Sequence, residues 1–223
     1  LALNNRSFFF IIVYLVAMKM IGQRVVVRVD KKYQDEIDIG NGKVLYIDPS
    51  WKPEEHVTIC GEVVAIPNST WCRTLVGEQI KNELYVGDKI YFNYLTVDPT
   101  NLIPEEENLY TVDLEMVFCY VRGGRITATS NHALIKPLKK KESMKGKIYL
   151  STPNSGVSKN RGIVKYLSTP KKNSEKPDLM RGDEVWFHER FAFENEIEGK
   201  KYYVMQQDVI DGKIYEAVDG GTL

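Results

Sequence analysis

Apolar and polar residues alternate with a period of two along most of the chain after residue 22. The alternating runs are rich in β-branched and aromatic residues and are bounded by Gly, Pro, Asn and Asp, as in RVVVRVD at 24–30. This pattern predicts short β-strands separated by turns, because successive side chains of a strand point to opposite faces of its sheet. No stretch after residue 22 keeps a helical period over about ten residues. The sequence therefore predicts an all-β protein.

The chain also repeats itself. Five blocks recur in the same order: RVVVRVD (24–30) with HALIKPL (132–138), NGKVLYID (41–48) with KGKIYLST (145–152), CGEVVAIP (60–67) with RGIVKYLS (161–168), YVGDKIYFNY (85–94) with MRGDEVWFHE (180–189), and NLYTVDLEMVFCYV (108–121) with KYYVMQQDVIDGKI (201–214). Two copies of one domain, each a small barrel or sandwich of about a hundred residues, explain this order. We place the seam near RGGRITATSN, which gives domains at 20–125 and 126–223.

A Gly-Asp pair precedes one strand in each copy, at 87–88 and 182–183. Glycine can supply the positive φ of a tight turn, and the aspartate can accept hydrogen bonds from the turn amides. We interpret the pair as scaffold and not as catalytic machinery.

The first residues hold an apolar run from Phe8 to Met18. It is shorter than the roughly 20 residues that a membrane span needs, and no small-residue cleavage site of a signal peptide follows it. For residues 1–19 we favour a non-native or mis-called extension over a targeting signal.

Composition excludes several function classes. Thirty basic residues balance thirty acidic ones, so the charge gives no sign of a nucleic-acid or membrane-surface partner. Cys60, Cys72 and Cys119 lack the two-residue spacing of a metal knuckle, and we interpret them as buried or half-buried thiols. A zinc site from His56, Cys60 and Cys72 would lack a fourth ligand, so no metal is predicted.

The ordered blocks resemble the GroES-type co-chaperonins, the 10 kDa family that forms the lid of the chaperonin cage. The resemblance rests on RGIVKYLS, DLMRGDEVWF and EIEGKKYYVMQQDVI in the second copy, and on GEVVAIP, ELYVGDKIYF and LYTVDLEMVFCYV in the first. It covers most of residues 22–215 and implies two tandem GroES-like irregular β-barrels with mobile loops.

The resemblance also implies a site in each copy. Family members dock through an apolar triplet in a mobile loop, and the matching residues are Val44, Leu45 and Tyr46 in the first copy and Ile148, Tyr149 and Leu150 in the second. Unlike the usual aliphatic triplet of the family, both triplets contain tyrosine. A hairpin at the roof of the family's dome would correspond to Asn68–Lys81 and Thr169–Pro177.

The function that the resemblance implies is a cytoplasmic, non-enzymatic co-chaperonin. It would form a ring, cap a GroEL-type chaperonin and assist folding, with no cofactor of its own, because ATP would be bound by the chaperonin. Neither nucleic acid nor a membrane is an expected partner. The family's ring has seven domains, which two-domain chains cannot tile evenly.

Two alternatives to this interpretation stay open, and the sequence argues against a third. Each apolar triplet could be a short strand buried in its own domain. The chain could be a structural ring-forming or virus-associated protein that kept the fold and lost the chaperonin. A zinc-dependent dehydrogenase, which uses a similar barrel, would need a G-x-G-x-x-G dinucleotide motif, and the sequence has none.

Overall fold

The computed structural model describes residues 24–31, 36–38, 40, 42–46, 57–139, 157–173, 178–191 and 193–215. The chain divides into two compact units between Ser130 and Asn131. The described residues contain β-strands and short 3-10 helices but no α-helix, which confirms the all-β prediction.

The described residues of the first unit form ten strands. Their bounds are β1 Arg24–Arg28, β2 Glu36–Asp38, β3 Val44–Tyr46, β4 Cys60–Ala65, β5 Trp71–Arg73, β6 Gln79–Lys81, β7 Lys89–Phe92, β8 Leu109–Asp113, β9 Val117–Arg122 and β10 Arg125–Ala128. Six of them form an antiparallel sheet in the order β10-β9-β7-β4-β1-β8, and β2-β3 and β5-β6 form separate hairpins. The 3-10 helices of this unit are Tyr94–Thr96, Pro99–Asn101 and Leu114–Met116.

Six strands occur in the part of the second unit that the structure describes. Their bounds are β11 His132–Lys139, β12 Val157–Leu167, β13 Glu184–Phe187, β14 Phe193–Ile197, β15 Lys200–Gln206 and β16 Ile210–Ile214. They form one sheet in the order β14-β15-β11-β12-β13-β16. The 3-10 helices are Glu189–Phe191 and Gln207–Val209.

Five strands of each sheet follow the same order. The order β8-β1-β4-β7-β9 of the first unit corresponds to β15-β11-β12-β13-β16 of the second. The register agrees as well, since Arg24 lies opposite Asp113 and His132 lies opposite Gln206, as the paired sequence blocks require. The two sheets remain open, because each has an end strand on both sides.

The Gly-Asp turns are built alike. Gly87 and Gly182 have φ angles of +89° and +102°. The Asp88 carboxylate accepts a hydrogen bond from the Tyr85 amide at 2.7 Å, and Asp183 accepts one from the Met180 amide at 2.7 Å. Both halves of the predicted turn chemistry are therefore confirmed.

Each unit buries its own apolar core. The core of the first unit consists of Val25, Val27, Val29, Val63, Cys72, Ile80, Leu84, Ile90, Phe92, Val97, Tyr110, Val112, Leu114, Val117 and Tyr120. The core of the second consists of Ala133, Ile135, Val164, Val185, Phe187, Tyr203 and Met205. Alternate residues of the same strands supply these side chains, as the period of two predicts.

The segment RGGRITATSN, near which the sequence predicts the seam, contains the division between the two units at Ser130 and Asn131. It also contains the strand Arg125–Ala128, which pairs with β9 in the first unit's sheet. Gly123 and Gly124, with φ angles of +56° and +74°, turn the chain so that β10 returns along β9. Two consecutive residues with positive φ are typical of the tight turns that join hairpin strands.

Candidate functional site

The β2–β3 hairpin carries the predicted triplet of the first copy. Val44, Leu45 and Tyr46 form β3 and lie opposite Asp38, Ile37 and Glu36 of β2. The turn uses glycines with positive φ at 40 and 42, and the Lys43 amide donates a hydrogen bond to the Gly40 carbonyl at 3.1 Å. The Gly-Lys turn that precedes the triplet in the sequence thus orders the end of a hairpin.

The three side chains of this triplet are exposed. Val44 is 44% exposed, Leu45 52% and Tyr46 72%. A strand that belongs to a core buries side chains, as β1 does with Val25, Val26 and Val27, but β3 buries none. The first triplet is therefore not a strand buried in its own domain.

The triplet of the second copy, Ile148, Tyr149 and Leu150, lies outside the described residues. The strands around it are described: β11 ends at Lys139 and β12 begins at Val157, and these two residues are paired. In both copies the triplet lies between the first two of the shared strands, β1 and β4 or β11 and β12.

A second hairpin, β5–β6, lies within the predicted range Asn68–Lys81. Its base is anchored in the core by Cys72 and Ile80, which are both 3% exposed. Its tip presents Leu75 and Val76, which are 72% and 79% exposed. Sequence reasoning missed this apolar tip, although a Leu-Val-Gly triplet inside a predicted turn could have indicated it.

The hairpin predicted at Thr169–Pro177 has no described counterpart. Residues 169–173 carry no strand and end in a turn at Lys172 and Asn173, and residues 174–177 lie outside the described part of the chain.

Ion pairs fix both Gly-Asp turns. Arg122 donates to the Asp88 carboxylate from Nε at 2.7 Å and from Nη2 at 2.6 Å, and its guanidinium lies 4.1 Å from the ring centre of Tyr85 and 4.6 Å from that of Tyr120. The hydrogen bond to Asp88 raises the pKa of Arg122. These groups hold strand ends together, and Asp88 is only 4% exposed.

Lys213 holds the equivalent turn of the second unit. Its Nζ lies 2.9 Å from Asp183 and 3.3 Å from Asp178. The hydrogen bond to Asp183 raises the pKa of Lys213, and burial opposes this shift. For Asp183 burial raises the pKa, but hydrogen bonds from Lys213 and the Met180 amide outweigh it and lower the pKa below its usual value.

The described cysteines considered for metal binding belong to no cluster of side chains that could hold a metal ion. Cys60, Cys72 and Cys119 form no disulfide bond in the described part of the chain and are half-buried or buried as predicted. Burial raises the pKa of Cys72. No cluster of three or more His, Cys, Asp or Glu side chains that could hold a metal ion occurs among the described residues. His56, the third member of the zinc set, lies outside them.

None of the helices in the described ranges has the length and apolar character that a membrane crossing requires.

Comparison with known proteins bears on the second unit. The family model of the chaperonin 10 kDa subunit matches residues 125–214. No curated protein matches the chain. The match covers β10 and all six strands of the second unit's sheet, whose five-strand order recurs in the first unit. The match supports a GroES-type domain at residues 125–214.

Proposed function

We propose that this protein is a co-chaperonin that caps a GroEL-type chaperonin through apolar-tipped loops and assists ATP-dependent protein folding. The observation that carries the proposal is the exposed triplet Val44, Leu45 and Tyr46. It occurs in a chain whose residues 125–214 match the chaperonin 10 kDa subunit family. It also lies at the place in the repeat where, by the resemblance, that family carries its docking loop. The family is non-enzymatic, and we assign this chain no catalytic residue and no cofactor.

The first unit acts in this proposal as a second GroES-like domain. Its five shared strands, its register and its Gly-Asp turn agree with those of the family-matched unit. The segment with Pro99–Asn101 before β8 is an addition outside these strands. The β5–β6 hairpin lies in the range that the resemblance assigns to the roof hairpin of the family. Ile148, Tyr149 and Leu150 form the docking site of the second copy.

Each loop alone is expected to bind the chaperonin weakly. Burying an apolar side chain of this size contributes roughly 1.5–3 kcal/mol. Each residue that has to be ordered on binding costs roughly 1–2 kcal/mol, which offsets part of the gain from one loop. A ring that presents many loops makes the later contacts intramolecular, and the weak contacts then add up to firm capping. The chaperonin, which binds and hydrolyses the ATP, could release all loops together by a small change in its groove.

Binding to a purified GroEL-type chaperonin with nucleotide tests the proposal. Two triple variants are compared with the unmodified chain: Val44→Ser/Leu45→Ser/Tyr46→Ser and Ile148→Ser/Tyr149→Ser/Leu150→Ser. Each should lower the affinity at least tenfold, and their combination should abolish binding and the assisted refolding of a non-native client protein. Leu75→Ser/Val76→Ser is the matched control, because its two residues are at least as exposed but lie at the tip of the β5–β6 hairpin.

Hydrogen exchange on the same mixture adds an independent measurement. Residues 44–46 and 148–150 should gain protection when the chaperonin is added. A chain that forms stable rings, binds no chaperonin and shows unchanged exchange at both triplets would instead be the structural or virus-associated ring protein.

A further inference from the structure

The residues around the two triplets carry opposite charges. With Val44 aligned to Ile148, residues 35–50 correspond to residues 139–154, and we call these ranges the first and the second docking segment. The first docking segment holds four carboxylates and one lysine, which gives a net charge of −3. The second holds five lysines and one glutamate, which gives a net charge of +4. Equivalent places in the repeat therefore differ in the sign of their charge.

The contrast does not depend on these bounds. The wider ranges 30–56 and 134–160 have net charges of −3 and +6, in a chain whose thirty basic and thirty acidic residues balance. Charged residues in a loop commonly do no more than keep it solvated. Either sign, or a mixture of the two, serves solvation equally well, so solvation does not explain why the two segments have opposite charges.

The structure places acidic residues beside the first triplet. Glu36 and Asp38 of β2 lie at the register positions opposite Tyr46 and Val44 of β3. Residues directly opposite each other in an antiparallel pair are about 4.5–5.5 Å apart between Cα atoms, which is within the Debye length of about 8 Å in physiological salt. A groove that receives this triplet therefore lies within the field of the two carboxylates. The second docking segment is compared by sequence alone, and its aligned positions 140–142 read Lys-Lys-Glu.

The strands that follow the two segments continue the contrast. β4 carries Glu62, whose side chain is 57% exposed, and the equivalent position of β12 is the uncharged Ile163. β12 also carries Lys159 and Arg161, with side chains 69% and 47% exposed, where the first copy has uncharged residues. Each of these three charged side chains has an ion-pair partner in its own unit and still reaches solvent. The exposed charge that the first copy lacks here is basic, as in the second docking segment.

We propose that the two docking segments recognise grooves of opposite charge. The first, with the triplet at 44–46, fits a chaperonin groove with a basic rim, and the second, with the triplet at 148–150, fits a groove with an acidic rim. The partner is then a GroEL-type chaperonin that presents two kinds of groove and so has two kinds of subunit. This inference rests on the proposed function and specifies its partner.

Charge is the property that can separate the two grooves. Each triplet consists of two aliphatic residues and one tyrosine, so apolar contact alone distinguishes the grooves poorly. Complementary charges at the rim of an interface speed association, and like charges across it repel the wrong partner. Discrimination is a difference between two affinities, and repulsion contributes to it as much as attraction does.

The two triple serine variants of the preceding subsection each leave one docking segment active. Their affinities are measured against two versions of a purified GroEL-type chaperonin with nucleotide, one with lysines and one with glutamates substituted along the rim of the groove. The chain with the first segment active should bind the lysine version at least tenfold more tightly than the glutamate version, and the chain with the second active should show the reverse preference. Both preferences should fall below threefold in about 0.5 M NaCl, because salt screens exposed charges.

Charge reversal beside the first triplet locates the effect. Glu36→Lys/Asp38→Lys, made in the chain with only the first segment active, should reverse its preference to the glutamate version. Glu105→Lys/Glu107→Lys is the matched control, because it changes the charge of the same unit by the same amount at two exposed residues before β8. The control should change the preference less than twofold.

The outcomes separate this inference from the proposed function. The inference is overturned if both chains prefer the same version, if neither distinguishes the two, or if the control at Glu105 and Glu107 reverses the preference as the change at Glu36 and Asp38 does. In each of these cases the chains still bind, and the proposed function stands. A lack of binding to either version would overturn the proposed function and this inference with it.

Discussion

The backbone of Gly162 lies so close to Lys136 that a β-carbon on the glycine would be 2.6 Å from the Lys136 carbonyl oxygen. In the first unit a β-carbon on Gly61 would be 2.5 Å from the Arg28 carbonyl oxygen. Both contacts join the first two of the shared strands, β11 with β12 and β1 with β4. The two glycines of the matching blocks CGEVVAIP and RGIVKYLS are thus required by close strand packing, and the requirement recurs with the repeat.

Gly162→Ala should destabilise the second unit by about 1–3 kcal/mol, because the methyl group must displace backbone atoms of β11. The free energy of unfolding in urea measures the loss. Gly212→Ala is the comparison, since its nearest obstacle is the half-exposed indole of Trp186, which can rotate away. Equal stability of Gly162→Ala and the unmodified chain would show that β11 and β12 do not pack this closely.

Asp88→Asn should destabilise the first unit by about 2 kcal/mol, because hydrogen bonds to charged groups contribute more than neutral ones and the Asp88 side chain is buried. Arg122→Lys should cost less, about 1 kcal/mol, since it keeps the charge but loses the two-point contact and the stacking on Tyr85 and Tyr120. Urea unfolding of both variants measures the two losses. The reverse ranking would mean that ring stacking, and not the carboxylate, holds Arg122.

The pair of Asp183 and Lys213 should make the stability of the second unit depend on pH in two ranges. The pKa of Asp183 is lowered in the folded state, so its contribution is complete above the unfolded value of about 3.9 and is lost as pH falls below it. The pKa of Lys213 is raised, so its contribution is present below about 10.4 and is lost as pH rises further.

The measurement for this pair is the difference in unfolding free energy between the unmodified chain and Asp183→Asn from pH 2 to 8. The difference should stay constant from about pH 5 upward and shrink below about pH 4. Asp211→Asn, which removes an exposed carboxylate of the same unit, should show a smaller effect throughout. A difference that grows toward low pH would contradict the sign of the Asp183 shift.

Local sequence patterns were enough to predict the strands, the Gly-Asp turns and the repeat. A period of two, positive φ at glycine and a turn-capping aspartate are properties of a few neighbouring residues, and these predictions hold for Gly87 and Asp88 as for Gly182 and Asp183. The family resemblance is confirmed for residues 125–214. The docking role of the triplets stays a prediction.

Features that depend on distant residues could not be predicted in this way. Arg122 and Lys213 pair with equivalent aspartates, Asp88 and Asp183. In the aligned blocks, however, Lys213 corresponds to Tyr120 and not to Arg122. The repeat therefore does not indicate which basic side chain pairs with each aspartate. The pairing of β10 with β9 across the Gly123–Gly124 turn depends on a neighbouring strand and not on the residues of β10 alone. Exposure of Leu75 and Val76 likewise depends on how far the hairpin projects from the core, which composition does not determine.

The exposed triplet of the first copy should affect binding without affecting folding. Val44→Ser/Leu45→Ser/Tyr46→Ser should change the unfolding free energy by about 0.5 kcal/mol or less for each substitution, because surface changes away from packed contacts have small effects. Leu109→Ala should cost about 2–5 kcal/mol, since Leu109 is 1% exposed and packs with Val26 and Ala65. Urea unfolding measures both, and chaperonin binding is measured on the same samples. A triple variant that loses stability as Leu109→Ala does would mean that β3 belongs to the core of its unit, and any loss of chaperonin binding would then reflect unfolding and not a missing contact.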